Sequence, residues 1–225
     1  MTPDERWLAA TWPFVREHLP SPPAPILEIG CGPLGGFVPR LRAHGYAAVG
    51  IDPQAPPGPG YHQTVFEQYT PAEPVAGVIA CTSLHHVTGL DDVLDRMAAA
   101  VTPGGVAVVV EWARERFDDA TAQWCFARLP AGGDGWLHRH RDAWQASGRP
   151  WDDYTQIWSQ DDHLHTGQDI MRGLRARFDT CLAEEGPYFF CDLPGVTAAD
   201  EQAAIDSGDI QANGIRYVGR KPVTP

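Results

Sequence analysis

The residues best equipped for chemistry lie in the first quarter of the chain: Glu28-Ile29-Gly30-Cys31-Gly32-Pro33-Leu34-Gly35, then Gly50-Ile51-Asp52. Glycines at positions 30, 32 and 35 let the backbone approach a ligand closely, and a helix opening just after them offers unpaired N–H groups. Asp52 ends the next apolar run, where a carboxylate can accept hydrogen bonds from both hydroxyls of a ribose. Glu28 narrows the charge of that ligand. A carboxylate two residues ahead of the first glycine repels a pyrophosphate and suits a positive charge. Further on, Cys81-Thr82-Ser83-Leu84-His85-His86-Val87 sets two histidines directly after another apolar run. His85 and His86 are the best-placed candidate bases. A second reading, in which one of them packs against the ligand or caps the loop, stays open.

Such residues need elements to hold them. Ile26–Ile29 reads as a short buried strand running into the glycine turn, and Phe37, Val38 and Leu41 mark a helix that stops at Gly45. Tyr46–Ile51 is the next strand, so strand, glycine turn, helix, strand and acid form a βαβ unit. A third strand is expected at Gln63–Phe66 and a fourth at Val75–Cys81. Leu90, Val93, Leu94, Met97 and Val101 recur at helical spacing, and Thr102-Pro103-Gly104-Gly105 ends that helix. Val106–Val110 is apolar throughout, as befits a strand covered on both faces. Alternating strands and helices imply one parallel sheet between two helical layers. Before all this, Trp7–Leu19 reads as an amphipathic helix. Afterwards, Thr166 and Asp169 suggest a capped helix whose apolar face runs through Ile170, Leu174, Phe178 and Leu182. Tyr188–Leu193 and Ile215–Val218 are expected as closing strands, with a helix at Thr197–Ile205 between them.

On these residues the chain resembles the class I, Rossmann-like S-adenosylmethionine-dependent methyltransferases. Glu28 to Gly35 is similar to their first motif, Gly50-Ile51-Asp52 to the acidic loop after it, and Cys81 to Val87 to the segment after strand four. Thr102 to Gly105 resembles the turn before strand five. The resemblance covers about Ile26 to Val110. It implies a mostly parallel seven-stranded sheet flanked by helices, with a helical lid inserted after strand five. It also implies S-adenosylmethionine as methyl donor, with S-adenosylhomocysteine as product. Glu28, Gly30, Gly32, Gly35 and Asp52 would hold that cofactor, with Thr82 and Ser83 beside it and Glu67 near the adenine. Some relatives bind a divalent ion in the segment after strand four; Thr82 and His85 stand at the corresponding places here, so no metal is expected. One stretch departs from the family: Pro53–Gly60 holds four prolines and cannot form the usual helix between strands two and three.

The parts then divide as an N-terminal helix (1–20), a cofactor-binding core (24–110), a lid (111–165) and a closing helix and strands (166–225). The 111–165 stretch shows no strand signal and contains six of the eight tryptophans. Trp136, His140 and Trp144 recur at helical spacing, as do Trp151, Tyr154 and Trp158, and such stripes more often form an insertion's own core than a ligand box. An aromatic-lined pocket nonetheless suits a flat or hydrophobic small-molecule acceptor. The His138-Arg139-His140-Arg141 run reads as a solvated helix face, with recognition of an acidic acceptor group as the alternative.

Composition limits the partners. A net charge of −12 with only 17 Lys and Arg lacks the concentrated basic surface that nucleic acid needs. Five scattered cysteines fit neither a disulfide framework nor a zinc site. No apolar stretch reaches the ~20 residues of a membrane span and no signal peptide is evident, so a cytoplasmic protein is expected. Methyl transfer to a small molecule leads. A fold member that binds the cofactor but performs another reaction, such as a cyclisation, is the alternative. A non-catalytic partner subunit would have no need of the Glu28, Gly30, Gly32 and Asp52 set.

Overall fold

The computed structural model describes residues 1–223. Its centre is a seven-stranded sheet in the order β3-β2-β1-β4-β5-β7-β6. The strands are β1 (Pro25–Ile29), β2 (Ala47–Ile51), β3 (Tyr61–His62), β4 (Val75–Cys81), β5 (Val101–Trp112), β6 (Asp179–Gly186) and β7 (Gly214–Arg220). Neighbours from β3 across to β5 pair in parallel, while β7 runs antiparallel to both β5 and β6. Strand order reverses direction between β1 and β4, which opens a crevice beyond their C-terminal ends.

Eight helices accompany the sheet among the described residues: α1 (Pro3–His18), α2 (Val38–Ala43), α3 (Leu90–Ala100), α4 (Asp119–Phe126), α5 (Trp136–Ser147), α6 (Trp151–Asp161), α7 (Gly167–Arg175) and α8 (Ala198–Asp206). None is long and apolar enough to cross a membrane. On one face Leu94 and Met97 of α3 and Ile170 and Leu174 of α7 pack on the strands; on the other, Phe14 and Val15 of α1 and Leu41 of α2 do so. A separate aromatic cluster, centred on Trp112, Phe117, Trp151 and Phe189, joins α4, α5 and α6 to the end of β5. Within it the ring of His140 lies 3.7 Å from that of Trp158, and Trp144 meets Trp151 edge-on at 5.3 Å. The two aromatic stripes are thus largely each other's packing partners.

Several elements differ from expectation. The third strand is only Tyr61–His62, and Phe66–Gln68 is a turn of 3-10 helix. Pro53–Gly60 agrees with expectation in holding no helix, and the chain then pairs Tyr61 with Gly50. Helix α7 stops at Arg175, so Phe178 and Leu182 do not continue its face, and Leu182 belongs to β6. The Tyr188–Leu193 segment contains a 3-10 turn rather than a strand, since its apolar residues fill the aromatic cluster. Thr102–Gly105 is not a helix stop outside the sheet but an excursion within β5, where the register with β4 jumps from Val75↔Val101 to Gly77↔Val106. Strand β5 also runs two residues further, taking Glu111 and Trp112 into the sheet. Finally, the His138–Arg141 run is not a solvated face. Four consecutive residues spread around a helix, so His138 is buried and His140 half-buried while Arg139 faces water.

Candidate active site

Beyond the C-terminal ends of β1, β2 and β4 lies a cavity of about 620 Å³. Its floor is built from the glycine loop. Gly32 adopts φ +62°, and a Cβ there would project into open space, so the backbone is bare toward the cavity. Gly30 is glycine for a different reason: at φ +76° its Cβ would lie 2.3 Å from that of Ser83. Gly35, at φ +79°, packs beneath the hydroxyl of Tyr61 and does not reach the cavity wall. Of the three glycines, Gly30 and Gly32 line the space.

The carboxylates divide their work. Glu28 is buried, and its oxygens accept from the Phe37 and Val38 N–H groups at 2.8–3.1 Å, satisfying the donors at the buried start of α2. Burial pushes its pKa up to about 8, against the lowering pull of those N–H donors. Asp52 reaches back to the loop, accepting from Gly32 N–H at 3.0 Å and from Gln54 N–H at 2.7 Å. Each of its oxygens retains lone-pair capacity toward the cavity. Glu67, on the 3-10 turn, also lines the space.

The wall after β4 is strained. Thr82 sits at φ +49°, a left-handed conformation that a β-branched residue rarely adopts. Its N–H is held by Val110 O at 2.8 Å, and Ser83 Oγ donates to Ile29 O at 3.2 Å. Thr82, Ser83 and His86 line the cavity; His85 does not. His85 turns inward, its Nδ1 2.7 Å from Oε2 of Glu111. The two histidines therefore have unlike environments, and only His86 presents its ring to a ligand. Burial, and then the neighbouring His85 ring, lower the His86 pKa, which leaves a neutral imidazole able to take a proton near neutral pH.

The sequence reading passed over Glu111 altogether. Its fully buried carboxylate accepts from Ser83 N–H (2.7 Å), Leu84 N–H (2.6 Å), the His85 ring and Trp112 N–H (3.2 Å). Burial alone would raise its pKa, but attraction to His85, the hydrogen bond with that ring, and the Leu84 and Ser83 donors more than offset this, so the net shift is downward. Glu201 was missed too. From α8 it accepts from Tyr188, Phe189 and Phe190 N–H groups at 2.7–3.1 Å, fixing the segment that forms the far wall.

That far wall comprises Trp136, Tyr188, Cys191 and Asp192, with Asp4 and Trp7 of α1 beside them. Burial pushes the Asp192 pKa up to about 6. Burial likewise pushes the thiols of Cys31 and Cys191 up to about 12, so neither supplies a thiolate. Among the described residues, no group of three or more His, Cys, Asp or Glu is arranged to hold a metal ion. No Lys or Arg among the described residues lines the cavity, although Glu28, Asp52, Glu67, Asp4 and Asp192 do.

This arrangement of glycine loop, strand-end acid and parallel-sheet crevice has counterparts. A family model for a methyltransferase domain matches residues 6–148. Among solved structures, an S-adenosylmethionine-dependent methyltransferase from Mesorhizobium loti is 20% identical (TM-score 0.59), with 94% of this chain and 98% of that one covered. The N-methyltransferase NodS from Bradyrhizobium japonicum, solved with S-adenosyl-L-homocysteine, is 17% identical (TM-score 0.55), covering 98% and 89%. The [4+2]-cyclase SpnF shares the fold at 15% identity (TM-score 0.53), covering 94% and 80%. No curated protein sequence matches. The chain belongs to the class I methyltransferase family, in which the methyl donor is S-adenosylmethionine.

Proposed function

We propose that the protein transfers the methyl group of S-adenosylmethionine to a small-molecule acceptor bound beneath α5 and the Tyr188–Asp192 segment. The observation that carries this reading is the charge of the cavity: five carboxylates and no Lys or Arg. A donor bearing an ammonium and a sulfonium fits such a lining, whereas the pyrophosphate of a dinucleotide would meet like charge on every side. The bare backbone at Gly32 fits the same donor, because close contact there is possible without a side chain in the way.

In this reading Asp52 accepts from the ribose hydroxyls, the Gly30–Gly32 backbone and Thr82–Ser83 hold the methionine portion, and Glu67 lies toward the adenine. Glu28 acts through α2, keeping the loop in shape, and adds negative potential once the donor's positive charge draws off its proton. The bound donor supplies an electrophilic methyl group. The protein's remaining tasks are alignment of the acceptor and exclusion of water. The α4–α6 insertion, with α1, serves as the lid for the second task and contributes Trp136 and Trp7 as flat apolar surface for an aromatic or hydrophobic acceptor. His86 is the base where the acceptor atom carries a proton, taking it on a neutral imidazole nitrogen. His85 orients the loop that carries His86.

Calorimetric titration with S-adenosylhomocysteine and with NAD tests the donor assignment. Binding of the first and not the second is expected; NAD binding alone would overturn it. A screen of small acceptors, read by formation of S-adenosylhomocysteine, then separates methyl transfer from a reaction such as cyclisation, in which the donor is not consumed.

A further inference from the structure

The acceptor end of the cavity has its own charge, separate from the donor end. Glu28 lies on β1, Asp52 directly after β2 and Glu67 on the turn after β3, on the donor side. Asp4 and Asp192 come from α1 and from the segment before α8, on the opposite wall. Asp192 is half-buried, and no ion pair joins it to a Lys or Arg among the described residues. Asp4 lies near enough to act on it electrostatically, as does Arg6 with opposite sign. The Arg6 guanidinium, however, is committed elsewhere, donating to the carbonyls of Cys191 and Leu193. The Trp136 side chain lies close enough to lower the Asp192 pKa against the effect of burial. Trp136, Tyr188 and Trp7 line the same cavity as this carboxylate.

A desolvated acid without a counter-ion, walled by aromatic rings, is costly unless a cation arrives. Ring faces attract the same cation. We infer that the acceptor carries a basic nitrogen, bound as an ammonium group between Asp192 and Asp4 and against the rings of Trp136, Tyr188 and Trp7. An acidic acceptor is disfavoured by the same charges, because nothing on this wall would neutralise a carboxylate or phosphate. Asp192 thereby becomes the residue that sets acceptor specificity. This rests on the methyl-transfer reading of the cavity, and the test keeps the two apart.

The full-length protein is first titrated with S-adenosylhomocysteine; failure to bind removes the methyl-transfer reading itself. The saturated protein is then titrated with phenethylamine and tryptamine against matched probes, 2-phenylethanol, tryptophol, 3-phenylpropionate and indole-3-propionate, and tryptophan fluorescence is followed. The amines should bind ~10- to 100-fold more tightly than the alcohols, the value of a hydrogen bond to a charged group, and the carboxylates should bind least. Asp192→Asn should abolish the amine preference while S-adenosylhomocysteine affinity stays as in the wild type. Asp4→Asn, at an exposed position in the first turn of α1, should reduce the preference by a smaller factor. Equal binding of amine, alcohol and carboxylate, no amine binding, or an amine preference that survives Asp192→Asn would each overturn the inference with the donor assignment intact.

Discussion

Replacing Glu111 tests whether one buried carboxylate holds the wall of the active site together. Its four hydrogen-bond donors come from the loop after β4 and from β5 itself. Glu111→Ala leaves three backbone N–H groups and one ring nitrogen facing a void. Each buried donor left unpaired costs ~1–3 kcal/mol, and removing one partner of a buried charged pair costs ~3–5 kcal/mol in total. Water entering the space lowers the sum, so about 3–5 kcal/mol is expected. At ~2–4 °C per kcal/mol for a chain of this size, the melting temperature should fall by about 6–20 °C. Glu111→Gln keeps one oxygen for Ser83 and Leu84 and should cost about 1–2 kcal/mol.

The pH dependence has a definite sign. The folded pKa of Glu111 lies below the ordinary value of 4.5, so its contribution is complete above pH 4.5 and is lost as pH falls through the folded value. Urea denaturation between pH 3 and pH 7 should therefore show a loss of stability on acidification in the wild type that is shallower in Glu111→Gln. Stability of Glu111→Ala within ~1 kcal/mol of the wild type would refute the reasoning, because four unpaired donors could not be that cheap.

Other outcomes follow from the same geometry. Asp52→Ala should weaken S-adenosylhomocysteine binding ~10- to 100-fold by calorimetry, with little change in melting temperature. Gly32→Ala, at φ +62° with open space ahead of it, should cost only ~1–2 kcal/mol of stability yet impair cofactor binding; Gly30→Ala, with Ser83 in the way, should impair folding itself, as paired melting and binding curves would reveal. For an acceptor that must lose a proton, His86→Ala should lower turnover ~100- to 10,000-fold with cofactor affinity unchanged, whereas His85→Ala should act mainly on stability. Because the Glu28 pKa stands at about 8 in the free protein, a cationic cofactor should drive it toward ionisation: binding at pH 7 should release a proton, and affinity should rise with pH until Glu28 is ionised. Calorimetry in buffers of different ionisation enthalpy would detect that proton, and Glu28→Gln should abolish it.

The sequence made the central strands legible because strands covered on both faces read as apolar runs. Ile26–Ile29, Val75–Cys81 and Val106–Val110 all lie in the structure's strands, and Asp52 and the glycine turn follow from their placement. The sheet's edges were illegible for physical reasons. Strand β3 is two residues long, and β6 is an edge strand whose side chains are mostly exposed, so neither leaves a hydrophobic signature. The reverse error occurred at Tyr188–Leu193, where apolar residues pack into an aromatic cluster without forming a strand. His85 and His86 are adjacent in sequence and were not separable there. Their division of labour comes from Glu111, whose register in β5 sets it opposite the loop after β4.

Glu28, Glu111 and Glu201 share a physical logic that no spacing rule exposes. Each carboxyl group is buried, and each turns its oxygens to backbone N–H groups: those opening α2, those after β4, and those of the Tyr188–Phe190 segment. All three segments border the cavity. Loops around a ligand site cannot satisfy their donors through sheet or helix pairing without losing the shape the ligand requires. A buried carboxylate offers several lone pairs at one point and can gather successive N–H groups into a tight curve. The arrangement fixes three walls without placing a cation near the cavity, where it would oppose a positively charged donor. A lysine or arginine pairing with any of these glutamates would relieve the cost of burial and spoil the field at the site. The absence of basic residues from the cavity lining and the use of backbone amides as counter-charges are two consequences of the same demand: a rigid site that remains negative.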